Sequence, residues 1–193
     1  FRIDAATTEA VYDGAGNLSW SASGQALPST TACDTGSVSI GQQVGRSYDG
    51  RNRLLTLTFP GGNGNQNWSY TPDGLPATVT TWNDGGTSTV VNGYTYNKRR
   101  MLTGEGQQQT GSPTWSIGYG YDANGYLSSL VYPDGQIIDY LPNALGQPTQ
   151  AGTFASGVQY HPNGAMKQFT YGNGLTHTLT QNARQLPLRS VDS

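Results

Sequence analysis

Two histidines, one cysteine and twelve carboxylates make up the acid–base and nucleophilic repertoire of this 193-residue chain. No carboxylate partner can be assigned to His161 or His177 from their surroundings in sequence. Cys33 has no histidine near it in sequence and no nucleophile-elbow motif, and being alone it forms no disulfide framework and no thiolate metal site. Most aspartates lie in turn dipeptides, where the side chain ordinarily hydrogen-bonds its own backbone. Nothing in this set reads as an active site, so the expectation is a chain that is no enzyme and needs no cofactor or metal. What remains is aromatic chemistry. Twelve tyrosines and four tryptophans offer rings that stack on one another or on the apolar faces of sugars.

The elements that hold these rings follow from composition and period. Glycine is 27 of 193 residues, about twice the usual share of roughly 7%. Charged residues are 11%, where about 25% is ordinary. Such a chain cannot fill a thick aliphatic core, but it can build sheets surfaced with hydroxyls, amides and tyrosine rings. Leu55, Leu57 and Phe59 alternate with Thr56 and Thr58, and Leu175, His177 and Leu179 alternate with Thr176, Thr178 and Thr180. That period of two marks half-buried strands. Asn-Gly and Asp-Gly each occur five times, and these dipeptides accept the positive φ that tight turns require. The chain is read as all-β, with residues 1–10 left open to a short helix.

The turns recur. An aromatic, then Asp or Asn, a small turn and a Leu or Pro begin at 12, 48, 70, 96, 121, 142, 160 and 181. The series carries Tyr12, Asp13, Gly16 and Leu18; Tyr48, Asp49 and Leu54; Tyr70 and Gly74; and Tyr96 and Leu102. It continues with Tyr121, Asp122, Gly125 and Leu127; Gly146 and Pro148, where the ring is lost; and Tyr160 and Gly164. A second landmark, Pro133, Asp134 and Gly135, follows the fifth start by twelve residues, with counterparts at Pro60 and Gly172. Each unit is thus a turn, a strand, a glycine turn and a strand back. This organises the chain as a lead-in over 1–11 and β-hairpin repeats over 12–193.

These residues resemble the RHS, or YD-repeat, family. Tyr121 to Gly135 matches its tyrosine-aspartate, Gly-Arg-Leu and Pro-Asp-Gly signature nearly in full, with Tyr126 in place of the arginine. The resemblance runs over roughly 12–190, weakest from 19 to 47. It implies tandem hairpins in a curved or spiral β-strip, part of a hollow shell. In bacterial toxins of the family the shell encloses a C-terminal toxin domain, and in teneurins a similar shell serves adhesion. The aspartyl self-cleavage motif of many members is not carried over, because the chain has no Asp-Pro.

Two readings of the rings stay open. The tyrosines at one register can pack on each other and on the Leu or Pro of their own unit, gaining about 0.5–1.5 kcal/mol per aromatic pair beyond burial. Alternatively they form a sugar platform. Trp20, Trp68, Trp82 and Trp115 lie off that register and are the better candidates for exposed, ligand-facing rings, with core filling as the alternative reading. Gly61 to Asn67 resembles the calcium nonapeptide of RTX proteins, but Gln66 stands where that motif needs an aspartate. Lys98-Arg99-Arg100 is the only basic run, and it reads as a solvated turn.

With a net charge of −2 there is no basic footprint for nucleic acid. No apolar run approaches the roughly 20 residues that span a bilayer. No leader is read at Phe1, so either one was removed or the chain belongs to something larger. The function expected is a scaffold segment of a secreted or surface protein that encloses or delivers a toxin. Its partners would be the rest of the shell and its cargo. A glycan-binding adhesion module and self-association through open sheet edges are the alternatives.

Overall fold

The computed structural model describes residues 7–25 and 38–193; Cys33 and residues 1–6 lie outside them. Fifteen strands account for the described regular structure, with two short 3₁₀ turns at Ile40–Gln42 and Asp84–Gly86. The first eleven strands are β1 (Thr7–Tyr12), β2 (Leu18–Gln25), β3 (Val44–Tyr48), β4 (Leu54–Thr58), β5 (Asn65–Tyr70), β6 (Pro76–Asn83), β7 (Ser88–Tyr96), β8 (Leu102–Gln109), β9 (Trp115–Tyr121), β10 (Leu127–Val131) and β11 (Ile137–Asp139). They hydrogen-bond in chain order as one sheet. Then β12 (Ala155–Tyr160), β13 (Met166–Tyr171), β14 (Thr176–Gln181) and β15 (Pro187–Asp192) form a second sheet, also in chain order. The fold is all-β and built of antiparallel hairpins. Residues 7–10, left open to a helix by their sequence, belong to β1. No helix among the described residues is long and apolar enough to cross a membrane. The chain divides into two compact units, Phe1–Arg100 with Glu105–Trp115, and Met101–Gly104 with Ser116–Ser193.

One turn design generates the hairpins. In nine turns among the described residues, the N–H of the first residue donates to the carbonyl of the fifth, and the N–H of the fourth donates to the carbonyl of the first. The fourth residue then has positive φ: Gly125 is at 93° and Gly164 at 84°. This is a three-residue hairpin loop closed by a glycine bulge. A side-chain oxygen reinforces it. Asp13 and Asp49 each accept two backbone N–H groups through Oδ1, from Ala15 and Asn17, and from Arg51 and Arg53. Asn143 and Asn182 do the same.

Three turns place a side chain where glycine is favoured: Asn52 at φ 59°, Arg100 at 65° and Gln185 at 62°. The dipeptide reading is corrected in detail. Only the fourth residue needs positive φ, so Asp13-Gly14 and Asp49-Gly50 open their turns through the aspartate, while Asn92-Gly93 lies inside β7.

The second sheet starts after the repeat that carries proline in place of tyrosine. Pro142 and Pro148 face each other in an isolated bridge. Neither has an N–H to donate, so a ladder cannot extend there.

Few of the described residues are buried. Among the described residues the buried apolar side chains are Ala22, Val38 and Ile138, and no side chain is completely enclosed. Register places Ser47, Thr56, Asn67 and Thr80 in one cross-strand row, and Arg46, Leu57, Gln66 and Thr81 in the next. Neighbouring residues along a strand face opposite ways, so one face carries hydroxyls and amides and the other mixes aliphatic with polar groups. Hydroxyl pairs such as Ser47–Thr56 and Ser69–Thr78, both at 2.6 Å, satisfy the polar face.

Candidate functional site: tyrosine clasps and turn-edge notches

The repeat tyrosines do more than fill space. Tyr48, Tyr70, Tyr121 and Tyr160 each sit at a register shift on the turn side of their strand, as at Ser47/Tyr48, Ser69/Tyr70 and Gln159/Tyr160. A bulge re-aims the side chain it carries, and here the phenol is turned toward the preceding repeat. Tyr48 Oη donates to the Leu18 carbonyl at 3.0 Å, and Tyr70 Oη to the Leu54 carbonyl at 2.7 Å. Tyr121 Oη donates to the Leu102 carbonyl, and Tyr160 Oη to the Pro148 carbonyl, both at 2.7 Å. The acceptor is each time the Leu or Pro of the previous unit's signature. Within the unit, the same tyrosine pairs across the ladder with its own Leu or Pro, as in Tyr48↔Leu54, Tyr70↔Pro76 and Tyr121↔Leu127.

These clasps fall where the ladder is thin. Hairpin β5–β6 has six registered pairs, whereas the seam β4–β5 between hairpins has two, Thr56↔Asn67 and Leu57↔Gln66. The Tyr70 hydroxyl adds a bond to that seam. Burial raises the Tyr160 phenol above its ordinary pKa, and the same is true of Tyr96. Close ring contacts among the described residues include Phe169 stacked on His177 at 5.0 Å and edge-on to Tyr171 at 4.7 Å. His177, for which sequence gave no carboxylate, meets Asp192 of β15 at 2.7 Å, because strand pairing sets them opposite each other.

In four places the fifth residue of one turn reaches the fourth residue of the next. Asn17 Nδ2 donates to Asn52 Oδ1 at 3.0 Å. Arg53 Nη1 lies 3.4 Å from where a Cβ on Gly74 would stand, and Gln147 Nε2 lies 3.7 Å from the same point on Gly164. The Tyr126 ring covers Gly146 so closely that a Cβ there would run into it. The Gly-Arg-Leu arginine position is therefore the contact between successive turns, and Tyr126 fills it with a ring.

Two open notches result. The first, about 590 Å³, is lined by Asp49, Arg51, Arg53, Tyr70 and Pro72, and the second, about 560 Å³, by Asn143, Gln147, Tyr160 and His161. In the first, Arg53 lies over the Tyr70 ring at 4.2 Å and holds Asp49 through Nη2 at 2.6 Å and Nε at 2.7 Å. Those bonds, with the backbone N–H groups of Arg53 and Arg51, lower the Asp49 carboxyl from 3.8 to about 2. Arg53 Nη1 is buried without a hydrogen-bond partner.

The four tryptophans are dispersed. Trp20, Trp68 and Trp82 are half-buried in β2, β5 and β6, whereas Trp115 opens β9 at 61% exposure. Two of the three asparagines of the Gly61–Asn67 stretch are occupied by backbone: Asn65 Oδ1 accepts from Phe59 N–H and Asn63 Oδ1 from Asp84 N–H. Among the described residues no three His, Cys, Asp or Glu side chains are grouped as metal ligands.

No family model and no curated protein matches the chain. Solved structures do. The crystal structure of TcdB2-TccC3-TEV superposes with a TM-score of 0.60 at 14% identity, over 100% of this chain and 10% of that one. The crystal structure of TcdB2-TccC3-Cdc42 gives 0.58 at 15% identity, over 98% and 10%. The likeness is one of fold, that of the RHS/YD-repeat shells in these assemblies. The chain spans a tenth of the length of the chains it matches.

Proposed function

We propose that this chain is a segment of wall in an RHS/YD-repeat shell, a non-catalytic scaffold whose parent encloses or delivers a toxin domain. The observation that carries the reading is the clasp. Four repeats spend their most recognisable side chain, Tyr48, Tyr70, Tyr121 or Tyr160, on the carbonyl of the repeat before, so the design is one of lateral continuity. The uncovered faces fit a wall, because strands that bury only Ala22 and Ile138 among their described apolar side chains gain most of their cohesion from main-chain pairing and from whatever lies against them. Such a wall belongs to a secreted or surface assembly.

Limited proteolysis of the native full-length polypeptide tests this. The segment downstream of the repeats should resist protease in the intact protein and become cleavable when Tyr48, Tyr70, Tyr121 and Tyr160 are all changed to Phe. A downstream segment digested at the same rate with and without the repeats defeats the enclosure reading.

A second reading rests on Trp115, whose ring stands 61% exposed at the start of β9. An exposed indole of this kind suits the apolar face of a sugar, and adhesion to glycans is the corresponding function. Glycan-array binding that disappears in Trp115→Ala supports it; an array without signal removes it.

A further inference from the structure

The fold gathers charge that the sequence scatters. Arg51 Nη1 donates to the Pro72 carbonyl at 3.4 Å, and Arg100 Nε approaches Asp73 Oδ2 at 4.0 Å. The turns 49–53 and 71–75 and the turn residues 97–100 are therefore consecutive steps along one border of the first unit. Arg51, Arg53, Lys98, Arg99 and Arg100 occupy them, five of the ten cations in the chain. Two carboxylates, Asp49 and Asp73, lie among them, which leaves a net +3 on three turns of a chain whose total is −2. Arg51, Lys98, Arg99 and Arg100 are exposed. Asp49 is already engaged by Arg53, and Asp73 accepts from the Thr71 hydroxyl. Asp13, on the adjoining turn, is bound to Asn17.

We infer that this border is a docking strip for an acidic, extended polypeptide segment. Four of the five cations are arginines, whose planar forks take carboxylates in pairs of hydrogen bonds. The 590 Å³ notch between the first two turns is open and lined by Arg51 and Arg53.

Spacing selects the partner. Turn 49–53 and turn residues 97–100 are four strand intervals apart, about 19 Å. An extended peptide covers that in about six residues at roughly 3.3 Å each, so acidic residues six apart meet the two arginine groups together. Asp73 stands between those groups. A polyanion with charge on every unit, such as a nucleic acid or a sulfated glycan, must bring one of its charges against it. A peptide can leave that register neutral.

The test uses the whole chain and a fluorescein-labelled Gly/Ser peptide carrying two Asp-Glu pairs six residues apart, followed by fluorescence anisotropy. Binding should appear at low ionic strength and weaken as salt rises. It should weaken about tenfold in Arg51→Gln/Arg99→Gln and stay unchanged in Arg184→Gln/Arg189→Gln, which removes two cations from the second unit. Circular dichroism checks that the double variant is folded, and Lys98→Gln alone, expected to weaken binding less, stands in if it is not. The inference is overturned by any of four results: no binding, equal binding of a peptide with its four carboxylates contiguous, tighter binding of heparin or oligothymidylate, or a folded double variant that binds as the native chain does.

Discussion

The notch at Asp49 and the notch at Asn143 share one backbone and differ in chemistry. In both, a five-residue turn with a left-handed fourth residue lies against the next turn, and a tyrosine from that next repeat clasps the Leu or Pro carbonyl beneath. In the first unit the pair across the turn is ionic, Arg53 donating to Asp49 at 2.7 Å. In the second it is neutral and reversed, Asn143 Nδ2 donating to Gln147 Oε1 at 3.0 Å. The shared backbone therefore accepts either a charged or an amide pair at the first and fifth positions. The charged version brings an open, arginine-lined border with it; the amide version does not.

Substitutions at the two facing glycines should separate most. Gly146→Ala must both adopt a positive φ and displace the Tyr126 ring, so a loss of about 3 kcal/mol is expected. Gly164→Ala, with only Gln147 nearby at 3.7 Å, should cost about 1–2 kcal/mol from backbone strain. Urea-unfolding midpoints measure both, and equal losses would mean that the Tyr126 contact contributes nothing.

Removing a clasp comes next. Tyr70→Phe and Tyr160→Phe each delete one hydroxyl bond, worth about 1 kcal/mol. Hydrogen exchange should rise at the seam between hairpins, at the amides that bridge β4 and β5 for the first, with the hairpin interiors unchanged. Uniform acceleration across the sheet would show that the clasp is not local.

At the left-handed positions the sign reverses. Gln185→Gly should stabilise by about 0.5–1 kcal/mol. Asn52→Gly should gain less, because it also gives up the bond from Asn17. Thermal melts that favour Asn52→Gly would contradict this order.

The smallest effect is the one that distinguishes the notches by pH. The folded Asp49 carboxyl titrates near 2, below its reference of 3.8. A depressed value means that its stabilisation is complete above about 4 and is lost as pH falls toward 2. The amide notch has no such group. Stability measured from pH 5 to 2 should fall less steeply in Asp49→Asn than in the native chain; identical slopes would remove Asp49 from the acid response.

How much was legible in sequence depends on whether the determinant is local. The turns were, because Asp13, Asp49, Gly125 and Gly164 act through hydrogen bonds and dihedrals within five residues. Alternating Thr and Leu gave the strands for the same reason, and the repeat start positions gave the order of the hairpins. The partner of each tyrosine was not legible. Tyr48 meets Leu18 across thirty residues and Tyr160 meets Pro148 across twelve, distances set by how hairpins lie beside one another. Asp192 beside His177 and the joining of Arg51 to Lys98-Arg99-Arg100 escaped for that reason too. By itself the sequence determined the repeated turn, the strand period and the all-β class, since each depends on neighbours along the chain. Only the tertiary structure decided which carbonyl each phenol holds and where the cations collect, since main-chain pairing between strands sets the register that brings distant residues side by side.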